Sequence, residues 1–162
     1  LSRCLVNLAR AKLGDIVLDA FCGTGSLLIE AGMIGCNVIG ADVNPRMVQG
    51  TIQNLNFLRI ENYDILVADA RHLPFRVFSC VVSDPPYGRG SSTYGAKAKV
   101  ILEDFLKETF DVLPPRRHLC LAFPRYQGLM EMGESVGYVT VGRYFMREHK
   151  NLTREIAVFK KR

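Results

Sequence analysis

Residues 83–88 read Ser-Asp-Pro-Pro-Tyr-Gly and directly follow an apolar run that predicts a buried strand. The Asp84 carboxylate and the Pro85 carbonyl can each accept a hydrogen bond from an amino group on a flat ring. Such acceptors localise the nitrogen lone pair and orient it for attack. Pro85 and Pro86 stiffen the backbone, and Tyr87 can stack on the ring. The segment therefore predicts a site that holds an exocyclic amine as a nucleophile; the alternative is a plain Pro-Pro turn with a buried tyrosine.

A second motif lies upstream, where residues 19–25 read Asp-Ala-Phe-Cys-Gly-Thr-Gly after the first predicted strand. Gly23 and Gly25 allow a sharp turn and the close approach of a ligand to the backbone. The helix that follows presents its amino end to a carboxylate or a phosphate. A nicotinamide dinucleotide site is the alternative, but the third glycine of its fingerprint is replaced by Leu28.

Three acidic residues favour a methyl donor over a dinucleotide. Asp19 precedes the glycine turn, where a carboxylate repels a pyrophosphate but pairs with the ammonium group of a methionine moiety. Asp42 ends the second predicted strand, where an acid accepts hydrogen bonds from ribose hydroxyls. Asp69 ends the third and can bind an adenine amino group, with the Ala70 amide on a ring nitrogen. Asp42 and Asp69 can each be a simple turn residue, but with Asp19 they predict S-adenosylmethionine as the cofactor.

The candidate residues thus form two groups, one for the chemistry and one for the cofactor. The predicted catalytic residues are Asp84, Pro85, Pro86 and Tyr87. The predicted cofactor-binding residues are Asp19, Phe21, Cys22, Gly23, Thr24, Gly25, Asp42, Asp69 and Ala70.

The elements that must position these motifs alternate along the chain. Strand–helix–strand alternation predicts a parallel sheet with helices on both faces. The last two predicted strands have no helix between them, which predicts an antiparallel hairpin at one edge. The expected fold is Rossmann-like α/β, with three α/β/α layers and a seven-stranded, mostly parallel sheet. The predicted strands cover residues 15–19, 37–41, 63–68, 77–83, 118–123, 138–146 and 152–159. Helices are predicted at 26–33, from Asn44 onward, at 100–112 and at 126–132, with a long loop at 85–99.

Composition limits the class of protein. With 162 residues, 48% of them hydrophobic, the chain fits one globular domain over residues 1–162. A membrane-spanning helix needs about 20 apolar residues, and no run approaches that length.

The five cysteines show no C-x-x-C pair, which argues against a zinc site, and their odd number favours a reduced, cytoplasmic protein. No cysteine lies in residues 84–99, which argues against a cysteine nucleophile. The net charge of +5 suits a polyanionic partner or an ordinary basic surface.

Several strings together resemble a known family. They are D-A-F-C-G-T-G, G-A-D-V-N, A-D-A-R-x-L-P and D-P-P-Y-G-R, with L-T-R at 152–154. The chain resembles the catalytic domain of tRNA (guanine-N2)-methyltransferases, most closely the archaeal type that modifies guanosine 10, which is related to the eukaryotic Trm-eleven subunit. The resemblance implies the fold of class I methyltransferases dependent on S-adenosylmethionine and a tRNA substrate. It also implies a preceding THUMP domain that helps to bind tRNA, so this chain is expected to be the catalytic part of a longer protein.

Other functions stay open from the residues alone. Adenine-N6 methylation of a nucleic acid and glutamine-N5 methylation of a protein also place an NH2 group on an sp² carbon, so the tetrapeptide at 84–87 does not separate them. A non-catalytic, cofactor-binding subunit of a tRNA methyltransferase complex is the alternative outside enzymes. The enzyme hypothesis depends on one geometric expectation, namely that Asp84 and the glycine turn open into a shared cavity.

Overall fold

The computed structural model describes residues 1–86, 95–125, 128–149 and 152–162. The helices in these ranges are α1 (Ser2–Leu8), α2 (Ser26–Met33), α3 (Pro45–Phe57), α4 (Gly95–Val112) and α5 (Leu129–Val136). The strands are β1 (Ile16–Asp19), β2 (Asn37–Asp42), β3 (Tyr63–Val67), β4 (Cys80–Ser83), β5 (His118–Pro124), β6 (Val139–His149) and β7 (Leu152–Lys160).

All seven strands form one sheet in the order β3-β2-β1-β4-β5-β7-β6. Neighbouring strands from β3 to β5 run parallel, whereas β7 is antiparallel to both β5 and β6. The strand order reverses between β1 and β4, and such a reversal opens a crevice at the carboxyl ends of the two strands. The fold class expected from the sequence, including the antiparallel hairpin at the edge, is therefore confirmed.

Helices cover both faces of the sheet, which gives the three expected layers. On one face, Leu5 of α1, Leu28 of α2 and Leu55 of α3 belong to one buried cluster with residues of the sheet. On the other face, Phe105 of α4 and Leu129 of α5 belong to a second cluster. Because both faces are covered, the central strands β1, β4 and β5 carry buried apolar residues on both faces, which is typical of parallel sheets. Among the described helices, none combines the length and the apolar character that a membrane crossing requires.

Some element boundaries differ from the sequence-based expectation. The strand expected from residue 77 begins at Cys80, because Val77 is apolar but 70% exposed. The helix expected at 100–112 begins at Gly95, inside the segment expected to be a loop. The helix expected at 126–132 lies at Leu129–Val136 and is flanked by two glycines in the left-handed region. β6 continues to His149 because that residue still pairs with β7.

Two glycines in helices differ in what surrounds them. Gly133 of α5 lies on the ring of Phe159, and a Cβ at this position would meet two ring carbons at 2.4 Å. Gly50 of α3 has room, since a Cβ there would meet only the Thr24 methyl carbon, at 3.8 Å. The absence of a side chain at 133 is therefore what lets α5 pack closely on β7.

We expect Gly133→Ala to lower the free energy of unfolding. Overpacking costs about 1–3 kcal/mol, whereas the gain in helix propensity is only about 1 kcal/mol. Gly50→Ala is the matched control and should raise the free energy of unfolding by about 0.5–1 kcal/mol. Denaturant unfolding measures both changes. Equal stabilisation by the two substitutions would contradict the packing of Gly133 on Phe159.

Candidate functional site

The carboxyl ends of β1 to β4 surround a cavity of about 580 Å³. This cavity gathers residues that are far apart in the sequence but were predicted to act together. Its lining includes Phe21, Gly23, Asp42, Asp69, Ala70 and Asp84. The acids at the carboxyl ends of β2, β3 and β4 therefore line one common cavity.

A smaller cavity of about 250 Å³ lies between α1 and the glycine turn. Asp19, Cys22 and Thr24 contribute to its lining. The two cavities share Gly23 and Asp84, together with Phe21. The expected juxtaposition of Asp84 with the glycine turn is therefore present, at the place where the two cavities meet.

The glycine turn is held by α3. Gly23 and Gly25 have φ angles of 54° and 90°, in the left-handed region that glycine adopts readily. The Thr51 hydroxyl donates to the Gly23 carbonyl at 2.8 Å, and the Asn54 amide donates to the Thr24 carbonyl at 2.8 Å. These bonds point the two carbonyl groups toward α3 and fix the turn beside the cavities.

Asp42 connects β2 to the same turn. One oxygen of its carboxylate accepts a hydrogen bond from the Gly23 backbone N–H at 3.0 Å, and the other accepts from the Asn44 N–H at 2.8 Å. The Asn44 side chain in turn accepts from the Arg46 N–H and caps α3, with Pro45 at the first helical position. The helix start that the sequence predicts is thus confirmed, and it orients Asp42.

Asp69, two residues after the end of β3, forms an ion pair with Arg71. The Arg71 guanidinium contacts both oxygens of the carboxylate, with the shortest N···O distance 2.6 Å. The hydrogen bonds from Arg71 lower the pKa of Asp69, although partial burial opposes them. Asp69 is therefore ionised at neutral pH and keeps Arg71 at the wall of the larger cavity. Ala70 is almost fully buried beside it.

Asp19 is the most deeply buried of the predicted acids, with 1% exposure. Its Oδ1 accepts hydrogen bonds from the Ser83 hydroxyl at 2.7 Å and from the Phe21 N–H at 3.1 Å. Burial raises the pKa of Asp19 to about 7, despite these bonds, and the nearby Asp84 and Asp42 carboxylates raise it further. A carboxyl group in this state changes its charge near neutral pH.

Asp84 forms an ion pair that links β4 to the hairpin. Its Oδ2 accepts a hydrogen bond from Arg154 Nη1 at 2.5 Å, and Arg154 Nε lies 2.6 Å from a Glu148 oxygen. Burial raises the pKa of Asp84, and the Arg154 guanidinium opposes this. The other carboxylate oxygen of Asp84, Oδ1, is buried and accepts no hydrogen bond from any described residue. One oxygen is thus held by arginine while the other remains an acceptor without a donor among those residues.

The structure adds three residues that the motifs alone did not assign. Thr51 holds the glycine turn, Ser83 binds Asp19, and Arg154 binds Asp84. The sequence held a signal for Ser83, which begins the string at 83–88, and for Arg154, which ends the L-T-R string. Thr51 had none, because it occupies an inward position of α3 that usually carries an apolar residue.

The structure describes some of the remaining predicted site residues but not Tyr87. Pro85 is buried and Pro86 lines the larger cavity, whereas Tyr87 lies outside the described residues. Burial raises the pKa of the Cys22 thiol to about 12, which makes it a poor nucleophile at neutral pH. Within the described part of the chain, no cluster of histidine, cysteine and acidic side chains is arranged to hold a metal ion.

Comparisons with known proteins identify the family of the chain. Residues 1–154 match the UPF0020 family, described as RMKL-like, methyltransferase domain. A relative from Methanothermobacter thermautotrophicus named "tRNA (guanine(10)-N2)-dimethyltransferase" is 41% identical over 99% of this chain and 48% of its own length. A relative of the same name from Pyrococcus abyssi is 34% identical over 100% of this chain and 49% of its own length. The chain therefore spans about half the length of these two relatives.

A solved structure agrees with the fold. The crystal structure of TrmN from Thermus thermophilus superposes with a TM-score of 0.85, covering 100% of this chain and 48% of that one at 24% identity. The family resemblance inferred from the motifs is confirmed by the two relatives. The chain belongs to the family of RMKL-like methyltransferase domains, and its fold is that of class I methyltransferases dependent on S-adenosylmethionine.

Proposed function

We propose that this chain transfers a methyl group from S-adenosylmethionine to the exocyclic N2 amino group of a guanine in tRNA. Two observations carry the proposal: the buried Oδ1 of Asp84 has no donor among the described residues, and Asp84 lines both cavities. Relatives named tRNA (guanine(10)-N2)-dimethyltransferase support the choice of base and of RNA.

The cofactor fits the cavities by chemical type. Asp42 and Asp69 line the larger cavity, where carboxylates suit ribose hydroxyls and an adenine amino group. Asp19 lines the smaller cavity, where an ionised carboxylate suits the ammonium of the methionine moiety. Gly23 lines both cavities without a side chain and lets a ligand pass from one to the other. The bound cofactor supplies an electrophilic methyl group on a sulfonium.

The acceptor amine is oriented by Asp84 and Pro85. Arg154 binds Oδ2 and leaves Oδ1 to accept a hydrogen bond from the guanine NH2, with the Pro85 carbonyl as the second acceptor. Both acceptors localise the nitrogen lone pair, which is otherwise delocalised into the ring. The new N–C bond forms as the C–S bond breaks, and the amine then loses a proton. Asp84, whose pKa is raised by burial, takes up that proton.

The surrounding architecture is part of the same proposal. We infer that residues 1–162 form one catalytic domain of a longer cytoplasmic protein, in which a preceding THUMP-type domain helps to bind tRNA. The chain's span of about half of its relatives supports a further region. Whether an activating subunit is needed is tested by assaying the purified chain alone.

Asp84→Ala should abolish methyl transfer while cofactor affinity stays close to the wild-type value. Loss of one positioned acceptor lowers kcat by about 10²–10³. The assay incubates unmodified tRNA with labelled S-adenosylmethionine and identifies the nucleosides by mass spectrometry; calorimetry gives cofactor affinity. Asp64→Ala, on the exposed side of β3, is the matched control and should transfer normally.

The same assay separates the alternatives. N2-methylguanosine or N2,N2-dimethylguanosine supports the proposal. Label in N6-methyladenosine would replace guanine by adenine as the substrate. An Asp84→Ala variant with full activity would overturn the proposal. So would a full-length wild-type protein that binds the cofactor but transfers no methyl group to tRNA.

Arg154→Met should shift the acidic limb of the pH–rate profile to higher pH. Asp84 must be ionised to accept the amine hydrogen bond, and Arg154 opposes the rise in its pKa. Without that cation, burial acts unopposed, the pKa rises, and more base is needed to ionise the carboxyl group. Arg154→Lys keeps the charge and should shift the profile less. A uniform loss of rate with an unmoved profile would indicate a purely structural role for Arg154.

Cofactor affinity should fall as the pH drops through about 7, because the pKa of Asp19 is about 7 and its ionised form pairs with the ligand ammonium. Affinity should change by up to about tenfold for each pH unit below that pKa and should level off above it. Asp19→Asn should show weaker binding with no such pH dependence. Calorimetry from about pH 5 to about pH 8, the interval in which a group with such a pKa changes its charge, measures both. Parallel pH curves for the wild type and Asp19→Asn would remove Asp19 from the cofactor site.

The free protein should show the opposite trend in stability. Because the folded-state pKa lies above the ordinary value of 3.8, the folded protein binds more protons than the unfolded chain between these values. The free energy of unfolding therefore falls as the pH rises from about 4 toward about 7. Asp19→Asn should lose this part of the fall.

A further inference from the structure

We propose that the edge of the sheet beside Asp84 binds the phosphate backbone of the RNA substrate. The surface consists of Arg125, Arg143, Phe145 and Arg147 and is called the rim patch below. The proposal rests on the proposed function, since it assigns a contact surface for the same substrate.

The rim patch lies at the same end of the sheet as Asp84. Arg125 directly follows Pro124, the last residue of β5, and Pro124 pairs with Arg154 of β7. Arg154 also pairs with Met146 of β6, next to Phe145, and its guanidinium binds Asp84. Three strand spacings of about 4.8 Å separate β4 from β6. The patch is therefore about 14 Å from the strand that presents Asp84.

Two arginines converge on one exposed ring. Phe145 is 50% exposed on the edge strand β6. The guanidinium carbons of Arg125 and Arg143 lie 4.9 Å and 5.2 Å from the centroid of its ring. An exposed aromatic residue on an edge strand invites strand-to-strand association, and cations at the edge oppose it. The pair of cations also creates a local excess of positive charge.

The charge of the patch is only partly neutralised within the protein. Arg143 donates to the carboxylate of Glu155 at 2.9 Å, and Glu155 is 1% exposed. Arg125 forms no ion pair with any residue in the described ranges. Arg147, on the same face of β6 as Phe145, is exposed and likewise has no acidic partner among the described residues. Two guanidinium groups thus remain available to an anion.

The chemistry of the patch matches a nucleic acid backbone. Guanidinium groups bind phosphate through two parallel hydrogen bonds, and their planes stack on aromatic rings. A guanine that enters the cavity leaves its flanking phosphates outside, and the RNA chain must continue across the neighbouring surface. The patch offers cations and an aromatic face at that place. A chain with net charge +5 adds long-range attraction for a polyanion.

Arg125→Gln is the most informative variant, because its replacement breaks no ion pair with a described residue. Arg143→Gln is less suitable, since it would leave Glu155 buried without its cation. Arg162→Gln is the matched control: it removes the same charge from an exposed residue near Lys160, which pairs with His118 at the opposite end of β5. Arg125→Lys retains the charge but not the planar guanidinium group, which can donate two parallel hydrogen bonds to a phosphate.

The experiment measures the affinity of an unmodified tRNA transcript at several salt concentrations, together with kcat, KM and cofactor affinity. Arg125→Gln should weaken tRNA binding about tenfold. It should also reduce the slope of log K against log salt by about 0.7–0.9 per lost phosphate contact. Arg125→Lys should show an intermediate loss, and Arg162→Gln should match the wild type. Cofactor affinity and kcat at saturating tRNA should be unchanged in all three variants.

The outcomes separate this inference from the proposed function. If the wild type methylates tRNA and Arg125→Gln has the wild-type affinity and salt slope, the rim patch is overturned while the methyltransferase function stands. Equal losses in Arg125→Gln and Arg162→Gln would also overturn it, because the effect would then be one of net charge. If tRNA binding depends on Arg125 but no methyl group reaches the RNA, the patch stands and the proposed function fails. A wild-type chain that binds no tRNA overturns the patch.

Discussion

The ion pair between Asp84 and Arg154 joins the parallel part of the sheet to its antiparallel hairpin. Asp84 leaves the parallel strand β4, whereas Arg154 lies on the antiparallel strand β7, with β5 between them. A buried carboxylate without a cation would be protonated or would destabilise the fold. Burial raises the pKa of Asp84, and Arg154 opposes this rise while it binds one carboxylate oxygen and leaves the other as a buried acceptor. The orientation of the acceptor therefore depends on the register of the hairpin.

Among the described residues, the glycine turn is held by hydrogen bonds to its backbone groups and not by an ion pair. Asp42 and Thr51 hold the glycine turn through backbone groups, so its shape is set before any ligand binds. Asp19 is tied to Ser83, the last residue of β4, by a hydrogen bond at 2.7 Å. This bond joins the end of β1 to the strand that presents Asp84. A shift of β4 relative to β1 would thus disturb both the Asp19 carboxylate and the Asp84 carboxylate.

Local patterns were enough to predict the fold and to place most of the candidate site. The carboxyl ends of parallel strands converge, so the proximity of Asp84 to the glycine turn followed from the order of elements. Residue types were less informative at surfaces: Val77 is apolar but exposed, and the start of α4 was hidden in a segment rich in glycine and serine. The partnership of Arg154 with Asp84, 70 residues away, was not predictable, because antiparallel register depends on the packed sheet.

The position of the hairpin suggests why substrate recognition can vary on a common fold. TrmN shares this fold at 24% identity, so the packing of the sheet tolerates extensive substitution. The predicted cofactor-binding residues lie on the side of β1 to β3, whereas Arg154 and the exposed arginines lie on the side of β5 to β7. β6 is an edge strand with one free side, so its exposed residues can change without repacking either buried cluster. Among the described residues of the hairpin, Arg154 reaches back to Asp84 and thereby couples a change at that edge to the chemistry.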